Sequence, residues 1–406
     1  MKSMLRSAIR AILPIDTFDA LRNVQRKREI TQKSRDLGRI DNVLKALESL
    51  EKISGKDYIR LDTAGLTEIA TAPKGVGVIE INDSCNIDCL MCNTSLATRP
   101  KGLMQLDLFE RIVSELASTG TKTVSLHTIG DPLANKKLPQ YLEILRSHGV
   151  HVGAMSTNAL LMDRHIDTLF EYRDIIDLIW ISIDGSSKWV YEKIRKGGDF
   201  DKLHANLLAF TKRNNAHSNP YPISVNCVVS LDNYHELAYL PMVFGYLTTP
   251  GQFNFGNISG LSADHTYFNE AKVFDDYYLH VPCGHLWDSP HIHKDGNLSL
   301  CSRDYNGDLV FGNINDGSIE EQFNGEIIRS MRRSHLKVDV KSLPKLCQGC
   351  ITADSRIDTI VNGVIHYYFE KIGSQPAVLQ NCLNEMAPLL KARKYSEVRT
   401  LIENLS

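Results

Sequence analysis

The sequence lacks the features that mark membrane-spanning, nucleic acid-binding and secreted proteins. No stretch approaches the roughly 18 consecutive apolar residues that a transmembrane helix needs. The formal net charge is −2, so the composition gives no argument for nucleic acid binding. Residues 1–15 are basic and partly apolar, but Arg10 interrupts the run and no small-residue cleavage site follows. We therefore expect a cytoplasmic protein with reduced thiols, in which clustered cysteines indicate a metal site or catalysis rather than disulfides.

Three of the nine cysteines are clustered at the spacing C-x3-C-x2-C. Cys85, Cys89 and Cys92 follow the apolar run 76–81, which is typical of a buried strand, so they should lie on the loop that leaves this strand. Three thiolates can hold three irons of a [4Fe–4S] cluster and leave the fourth iron open for chemistry. The alternatives are inert, buried cysteines and a zinc site, although structural zinc prefers four ligands and the nearest histidine, His127, lies 35 residues beyond the last cysteine.

Apolar strand patterns alternate with amphipathic helical patterns through the middle of the chain. This alternation predicts parallel strands joined by helical crossovers, and six such units fit an α/β fold with a partial (β/α)6 barrel. The functional site of such a barrel lies at the carboxyl ends of its strands. The predicted strands are 76–82, 122–127, 149–156, 177–184, 222–230 and 252–256, and the predicted helices are 106–119, 136–148, 163–173, 199–214 and 235–246.

Four regions are predicted: a helical N-terminal extension, the partial barrel, a small α+β cluster-binding domain and a C-terminal helical region. In the extension, residues 4–13 carry an apolar face that packs on protein or, as the alternative, lies on a membrane surface. A second helix is expected to begin at Asp41, and no alternating strand pattern there indicates a peptide-binding winged helix. The four regions are residues 1–75, 76–257, 258–351 and 352–406.

A second set of cysteines follows the predicted barrel. Cys283, Gly296 and Cys301 have the spacing C-x12-G-x4-C, and Cys347 and Cys350 form a C-x2-C pair. Four thiolates complete a metal site, and the spacing alone allows either zinc or an iron–sulfur cluster. A site closed by four protein ligands leaves no position on its metal for a substrate.

The remaining histidines and cysteines are expected to be structural. His291 and His293 lie at a predicted hairpin, and we expect them to be exposed there because the cysteines already complete the metal site. Cys227 and Cys382 are expected to pack in the core. His127, at the end of the second predicted strand, is either a core residue or a contact of a bound ligand.

At the first cysteine motif the sequence resembles the radical S-adenosylmethionine (SAM) superfamily, whose signature is C-x3-C-x2-C. The resemblance implies that Cys85, Cys89 and Cys92 ligate a [4Fe–4S] cluster and that SAM chelates its open iron. Reductive cleavage of SAM would then give methionine and a 5′-deoxyadenosyl radical. One difference is Met91, which stands before the third cysteine where the family often has an aromatic residue.

Two loops after predicted strands resemble SAM-binding turns of this family. Gly130 and Asp131 begin a Gly-Asp-Pro turn that is similar to the family's G-E-P turn, which takes the amino group of SAM. Ser156 and Asn158 match a Ser/Thr-Asn-Gly pattern that contacts the ribose and methionine part. Ala159 replaces the glycine of that pattern, so we expect the backbone there to avoid positive φ. Turn and cap chemistry is the alternative role for these side chains.

The fourth predicted strand resembles the family's V-S-I-D-G segment. The resemblance implies that Ser182 faces the SAM site and that Asp184 stands at the end of the strand. Arg195, in the segment that continues the resemblance, could pair with the SAM carboxylate through a charged fork. A surface salt bridge is the alternative for this arginine.

The second cysteine set, with the Gly-Asn-Ile segment before a short helix, resembles the SPASM/twitch extension of radical SAM enzymes. The full SPASM pattern has further cysteines after the C-x2-C pair, and residues 351–381 contain none. The resemblance therefore implies one auxiliary [4Fe–4S] cluster, closed to substrate but able to accept or relay an electron. The ligand spacing is most similar to that of a radical SAM dehydrogenase that acts on an aminocyclitol. The implied ligands are Cys283, Cys301, Cys347 and Cys350.

Together the resemblances imply a radical SAM oxidoreductase or related modifying enzyme that uses SAM and two [4Fe–4S] clusters. Its radical would abstract a hydrogen atom from a small polyhydroxylated substrate, such as a sugar or an aminocyclitol, with help from the auxiliary cluster. An electron donor such as flavodoxin or ferredoxin is the expected partner; nucleic acid and membrane are not. The alternatives are a peptide-modifying SPASM enzyme, a radical epimerase with Cys382 as hydrogen donor, and a non-catalytic iron–sulfur protein.

Overall fold

The computed structural model of the protein describes residues 40–53, 58–60, 62–70, 77–94, 96–258, 266–274, 279–348, 350, 356–371 and 375–404. Residues 40–53 are helical, and Val43, Leu47 and Leu50 are buried at the spacing of one helix face. The amphipathic segment predicted over 4–13 lies outside the described residues. None of the helices in the described ranges is long and apolar enough to cross a membrane.

Six successive parallel strands form the centre of the molecule, which confirms the predicted α/β fold with a partial barrel. Each strand pairs with the next one along the chain. The third strand is in two parts, because residues 151–152 pair with the second strand and residues 155–157 pair with the fourth. The chain of paired strands therefore turns a corner inside the third strand. The strands are Gly77–Ile79, Thr123–Ser125, His151–Val152 with Met155–Thr157, Ile179–Ser182, Ile223–Val229 and Phe253–Asn257.

Helices connect the strands and cover the outer face of the barrel. The first of them buries Phe109, Ile112, Val113 and Leu116, a spacing that places all four on one face. The hydrophobic periodicity of the sequence predicts this face, because a helix of the barrel's outer layer has to present one apolar side to the sheet. The connecting helices are Leu106–Ser118, Leu138–Ser147, Met162–Glu171, Lys188–Ile194 and Phe200–Ala216.

The segment predicted to be helical over 235–246 is helical, but it consists of two pieces. A 3₁₀ helix spans Tyr234–Tyr239, and a short α-helix, Leu240–Val243, follows it. Pro241 lies in the first turn of the second piece, where a missing N–H is tolerated. In one continuous α-helix, the proline ring would clash with the carbonyl of residue 237. The proline therefore divides the segment.

One edge of the barrel continues into the cluster-binding region. The strand His291–Ile292 lies parallel to Gly77–Ile79, with His291 opposite Val78, and two antiparallel strands complete a six-stranded sheet. The strands that lead to the two cysteine sets are therefore neighbours in one sheet. The two antiparallel strands are Asn297–Ser299 and Val310–Asn313. A further strand, Leu279–Val281, pairs with Tyr58–Arg60. The α-helices of this region are Thr266–Ala271, His285–Asp288, Ile319–Phe323, Glu326–Lys337 and Lys345–Gln348.

The opposite edge of the barrel is covered by the helix Arg356–Lys371. Asn362 accepts the N–H of Phe255 at 2.8 Å and donates to the carbonyl of the same residue at 2.7 Å. Asp358, one turn earlier, accepts the N–H of Asn257 at 2.8 Å. These side chains satisfy backbone groups that an edge strand leaves open, so the last strand does not present a free pairing edge here. The remaining helices are Pro376–Lys391 and Tyr395–Glu403.

Replacing Asn362 by alanine should lower the free energy of unfolding by about 2 kcal/mol, because both partly buried backbone groups of Phe255 lose their partner. Urea unfolding followed by circular dichroism measures the effect. Asn381→Ala is the matched control, since Asn381 is exposed on a neighbouring helix, and it should change the free energy by less than about 0.5 kcal/mol. Equal effects of the two substitutions would contradict the edge-covering role.

Candidate functional site

The cysteines of the first motif lie on the loop that follows the strand Gly77–Ile79. Cys89 belongs to a two-residue strand that pairs antiparallel with residues 195–196. The loop of the first motif is therefore hydrogen-bonded to a segment that follows the fourth strand. The Cys92 sulfur lies 2.9 Å from the hydroxyl of Thr94. All three cysteines of the motif are partly buried. Their loop therefore stands at the carboxyl end of the barrel strands, as the position of the motif after a strand predicts.

The three thiols are close enough to influence one another. Burial raises the pKa of Cys85 to about 11, and the neighbouring Asp131 and Cys92 add to the effect. Burial raises the pKa of Cys89 to about 12, against the opposing charge of Arg195. Thiols in such surroundings become thiolates when a cation holds them. The donor set therefore fits an iron–sulfur cluster, whose irons are held by thiolates.

Asp131 is buried at the turn after the second strand, and its carboxylate is engaged within the chain. It accepts hydrogen bonds from the N–H of Leu133 at 2.9 Å, the N–H of Asn158 at 2.8 Å and the hydroxyl of Thr157 at 3.0 Å. At Gly130, a Cβ would stand 2.5 Å from a backbone oxygen of the segment before the cysteines, so the close approach requires glycine. Asp131 thus joins two turns, and its contact with SAM stays a prediction.

The turn after the third strand contacts the first motif directly. Asn158 donates from Nδ2 to the Cys85 sulfur at 3.6 Å and to Asn86 Oδ1 at 2.9 Å. The expectation that the next residue, Ala159, avoids positive φ is wrong, because its φ is 63°, in the left-handed region. Neighbouring groups hold it there: Asn206 donates to the Ala159 carbonyl at 2.9 Å, and the Ala159 N–H donates to a threonine hydroxyl at 3.0 Å.

Arg195 and Asp184 form an ion pair beside the first motif. Arg195 Nη2 lies 2.8 Å from Asp184 Oδ2, and Nη1 lies 3.8 Å from the Cys89 sulfur. Both residues are buried, so the alternative of a surface salt bridge is wrong. Burial opposes the charge of Arg195, but Asp184 and the nearby thiols outweigh it and raise the pKa of the guanidinium. Arg195 Nε has no hydrogen-bond partner in the described part of the chain, which leaves a donor for the predicted contact with SAM.

The interior face of the barrel carries polar side chains. Residues that lie opposite each other in paired strands point to the same face, and the register puts Ser156 opposite Trp180 and Ser182 opposite Asn226. The isoleucines on either side of Trp180 are fully buried on the outer face. The four residues therefore point inward. A contact of the two serines with SAM stays a prediction.

His291 and His293 are buried, which corrects the expectation that they are exposed. They have 2% and 0% of their surface exposed. Because the strand His291–Ile292 joins the barrel sheet, these alternate residues point to the same side as Val78 and Glu80. The two imidazole rings lie 5.1 Å apart, and both nitrogens of His293 are buried without a hydrogen-bond partner among the described residues. Burial lowers the pKa of His291 to about 3, so its ring is neutral at neutral pH.

Glu80 and Arg99 form a second buried ion pair that no motif of the sequence indicates. Arg99 donates two hydrogen bonds, of 2.9 and 2.8 Å, to the Glu80 carboxylate. Thr128 donates to the same carboxylate at 2.7 Å, and the N–H of Lys294 donates at 3.2 Å. Burial opposes ionisation of Glu80, but Arg99 and Thr128 outweigh it and lower its pKa to about 2. This carboxylate joins the ends of the first two strands to the hairpin of the cluster-binding region.

The second cysteine set converges from separate elements. Burial raises the pKa of Cys283 to about 11, and Cys350 and Cys301 add to the effect. Burial also raises the pKa of Cys347, and the other three thiols add to it. Arg303 lies near three of these thiols and supplies a positive charge. The four thiols therefore form one group that fits a cluster with four thiolate ligands.

In the described ranges, no group of three or more His, Cys, Asp or Glu side chains has the arrangement of a single metal-ion site.

The two other cysteines pack in the core, as expected. Cys227 is 2% exposed and Cys382 is 5% exposed. Cys227 lies on the outer side of its strand, because its neighbour Asn226 points inward. Asn233 donates to the Cys227 sulfur at 3.5 Å, which gives this thiol a partner away from the interior of the barrel.

Comparison with protein families supports both cysteine motifs. Residues 79–233 match the family model described as the radical SAM superfamily, and residues 283–351 match the SPASM model, described as an iron–sulfur cluster-binding domain. Together the two matches span more than half of the chain, and they confirm the resemblances drawn from the cysteine spacing. At the level of the family, the prediction of iron–sulfur clusters and SAM is confirmed as well.

Individual relatives are distant. A GTP 3′,8-cyclase from Chlorobaculum tepidum is 27% identical over 31% of this chain and 37% of its own length, so the chain spans well under half of that relative. Among solved structures, an anSMEcpe structure with bound AdoMet has a TM-score of 0.51, 16% identity and coverage of 76% of this chain and 99% of that chain. SuiB of Streptococcus suis, bound to S-adenosylmethionine, has a TM-score of 0.52, 15% identity and coverage of 71% and 74%. These likenesses establish the fold.

Proposed function

The chain belongs to the radical SAM superfamily and carries a SPASM iron–sulfur domain, and we propose on this premise that it oxidises a small polyhydroxylated substrate by hydrogen-atom abstraction. When bound, the cofactors supply a 5′-deoxyadenosyl radical at the first motif and a one-electron acceptor at the second cysteine set. The protein binds and orients the reactants, excludes competing reactions and handles the proton.

The polar interior of the barrel is the observation that carries the substrate class. Asn226 points inward from the fifth strand, beside Ser182 of the fourth, and Asn226 Nδ2 and His127 Nδ1 are buried without a hydrogen-bond partner among the described residues. Buried polar groups need partners, and a substrate with several hydroxyl groups supplies both donors and acceptors. An apolar substrate would leave these side chains unsatisfied.

Two contacts hold the loop of the first motif in place for SAM. Asn158 donates to the Cys85 sulfur from one side, and Arg195 donates to the Cys89 sulfur from the other. Asp131 positions Asn158 by accepting its N–H. Hydrogen bonds and a cation beside the thiolate sulfurs set the potential of the cluster. In the proposed function, Gly130, Asp131, Ser156, Asn158, Ser182, Asp184 and Arg195 line the SAM site.

The second cysteine set determines the fate of the substrate radical. Its four thiols saturate a cluster, so the substrate does not bind there and the site can only exchange electrons. The hairpin before Cys301 is part of the sheet that leads to the first motif. In this proposal, a cluster held by the four thiols would accept an electron from the substrate radical, and a flavodoxin or ferredoxin would reduce the cluster held by Cys85, Cys89 and Cys92.

Deuterium transfer tests this function. We expect that the anaerobically reconstituted and reduced protein converts C-deuterated myo-inositol or glucosamine to a ketone and moves deuterium into 5′-deoxyadenosine, as mass spectrometry would show. Label transferred only from peptides would assign the peptide-modifying function. Solvent deuterium in an unoxidised sugar would assign epimerisation. The absence of SAM cleavage with every substrate would favour a non-catalytic iron–sulfur protein.

A further inference from the structure

Trp180 and His127 face each other across the interior of the barrel. The centres of their rings lie 6.5 Å apart, at an angle of 77°. Trp180 lies on the fourth strand and His127 follows the second, and the third strand separates these two in the sheet. A contact between their side chains therefore has to pass through the interior rather than along the sheet.

Trp180 is unusual because it presents a large apolar ring on this polar face. It keeps 36% of its surface exposed, while the isoleucines before and after it are fully buried. An aromatic ring in a polar pocket fits a ligand with one apolar face. The C–H bonds of a cyclic polyol form such a face, and its hydroxyl groups point to the rim.

His127 is placed to meet one of those hydroxyl groups. It follows the second strand, three residues before the turn of Gly130 that approaches the first motif. Its side chain is partly buried, and Nδ1 has no hydrogen-bond partner among the described residues. Burial lowers the pKa of His127 to about 4, so the ring is neutral at neutral pH and free to accept a proton. His291 is close enough to His127 for their charges to interact.

We propose that Trp180 and His127 recognise the substrate, with the Trp180 ring against the C–H face of a cyclic polyol and His127 in contact with the hydroxyl group that becomes a ketone. This inference rests on the proposed oxidation. Trp180 determines specificity for a ring with an apolar face. His127 is a catalytic residue, because it takes the proton that the oxidation releases.

Atoms and electrons balance in this oxidation. The C–H bond of the carbinol breaks homolytically, and its hydrogen atom goes to the 5′-deoxyadenosyl radical. With the clusters bound, the O–H proton of the carbon radical would pass to a ring nitrogen of His127 and one electron to an oxidised cluster held by Cys283, Cys301, Cys347 and Cys350, while the C–O bond becomes a double bond. Loss of the electron makes this hydroxyl strongly acidic, so a weakly basic imidazole is sufficient.

Two variants and two matched controls test the inference. His127→Gln should lower ketone formation from myo-inositol about 100-fold, the scale of a lost proton acceptor, while SAM cleavage continues without product. Trp180→Ala should raise the Kd of labelled myo-inositol in equilibrium dialysis about tenfold. The controls are His151→Gln and Trp189→Phe, because Trp189 is exposed and His151, whose side chain keeps 41% of its surface exposed, pairs with Asp177; both variants should behave like wild type.

The outcomes separate this inference from the proposed function. Iron content and the unfolding midpoint of each variant show first that it folds. If wild type forms the ketone and both variants equal it in ketone formation and binding, the oxidation stands and the proposed roles of Trp180 and His127 are overturned. If wild type forms no ketone but binds myo-inositol in a Trp180-dependent way, the role of Trp180 in substrate recognition stands and the proposed oxidation is overturned. If wild type neither oxidises nor binds a cyclic polyol, both are overturned.

Discussion

Replacing Cys85, Cys89 and Cys92 together by alanine should reduce the iron content of the anaerobically reconstituted protein from about eight to about four atoms per chain. It should also abolish the formation of 5′-deoxyadenosine, because the open iron that binds SAM belongs to this cluster. Cys92 acts on the ionisation of both Cys85 and Cys89, so the three thiols form one site, and they share no ligand with the second cysteine set. Iron, sulfide and zinc analysis and chromatography of the SAM products measure the two effects.

The matched control removes the second cysteine set instead. This variant should also retain about four irons, but it should still cleave SAM, because its first motif is intact. It should lose oxidation of the substrate, since the electron acceptor is gone. About four irons plus one zinc in the wild type would make the second site structural and favour the return of a hydrogen atom to the substrate radical. No iron in the wild type would overturn the whole interpretation. The control replaces Cys283, Cys301, Cys347 and Cys350 by alanine.

The cysteine sites and the order of strands could be predicted because their signals are local. A C-x3-C-x2-C motif directly after an apolar run identifies the cluster ligands, and its position identifies the loop that carries them. The run is a strand at Gly77–Ile79, and the loop after it brings the cysteines together. The alternation of strands and helices predicts parallel pairing without reference to any single contact. The domain boundaries given from the sequence stay a prediction.

The histidines of the hairpin could not be placed from local signals. The segment His293-Lys294-Asp295-Gly296 has the composition of an exposed turn. Its burial depends on pairing between His291–Ile292 and Gly77–Ile79, which are more than 200 residues apart in the sequence. One signal was present: Ile292 between two histidines has the period of a strand with one apolar face, which would put both histidines on the opposite face.

Ala159 shows how tertiary contacts override a local preference. A residue with a Cβ disfavours positive φ, so replacing glycine there predicts an ordinary backbone. Asn206, on the helix Phe200–Ala216, donates to the Ala159 carbonyl and helps to hold the left-handed turn. This bond joins residues 47 positions apart, and no pattern around Ala159 predicts it. The covering of the barrel edge by Asn362 is a long-range contact of the same kind.

Replacing Arg195 by methionine should lower the free energy of unfolding by about 3 to 5 kcal/mol, because it leaves the fully buried carboxylate of Asp184 without its cation. Differential scanning calorimetry of the reconstituted protein and of the variant measures the loss. The matched control is Lys52→Met, which breaks the exposed pair of Lys52 and Glu48 and should cost less than about 1 kcal/mol.

A double substitution separates stability from the role of Arg195 beside the cluster. In Arg195→Met with Asp184→Leu, apolar side chains replace the whole pair, and much of the lost stability should return because no charge remains buried alone. The reduction potential of the first cluster should stay lower than in wild type in both variants, since the positive charge 3.8 Å from the Cys89 sulfur is absent from both. A redox titration followed by electron paramagnetic resonance measures this potential. If the reduction potential recovers together with stability in the double variant, Arg195 acts on the cluster only through the fold. If the potential of both variants equals that of wild type, Arg195 does not influence the cluster.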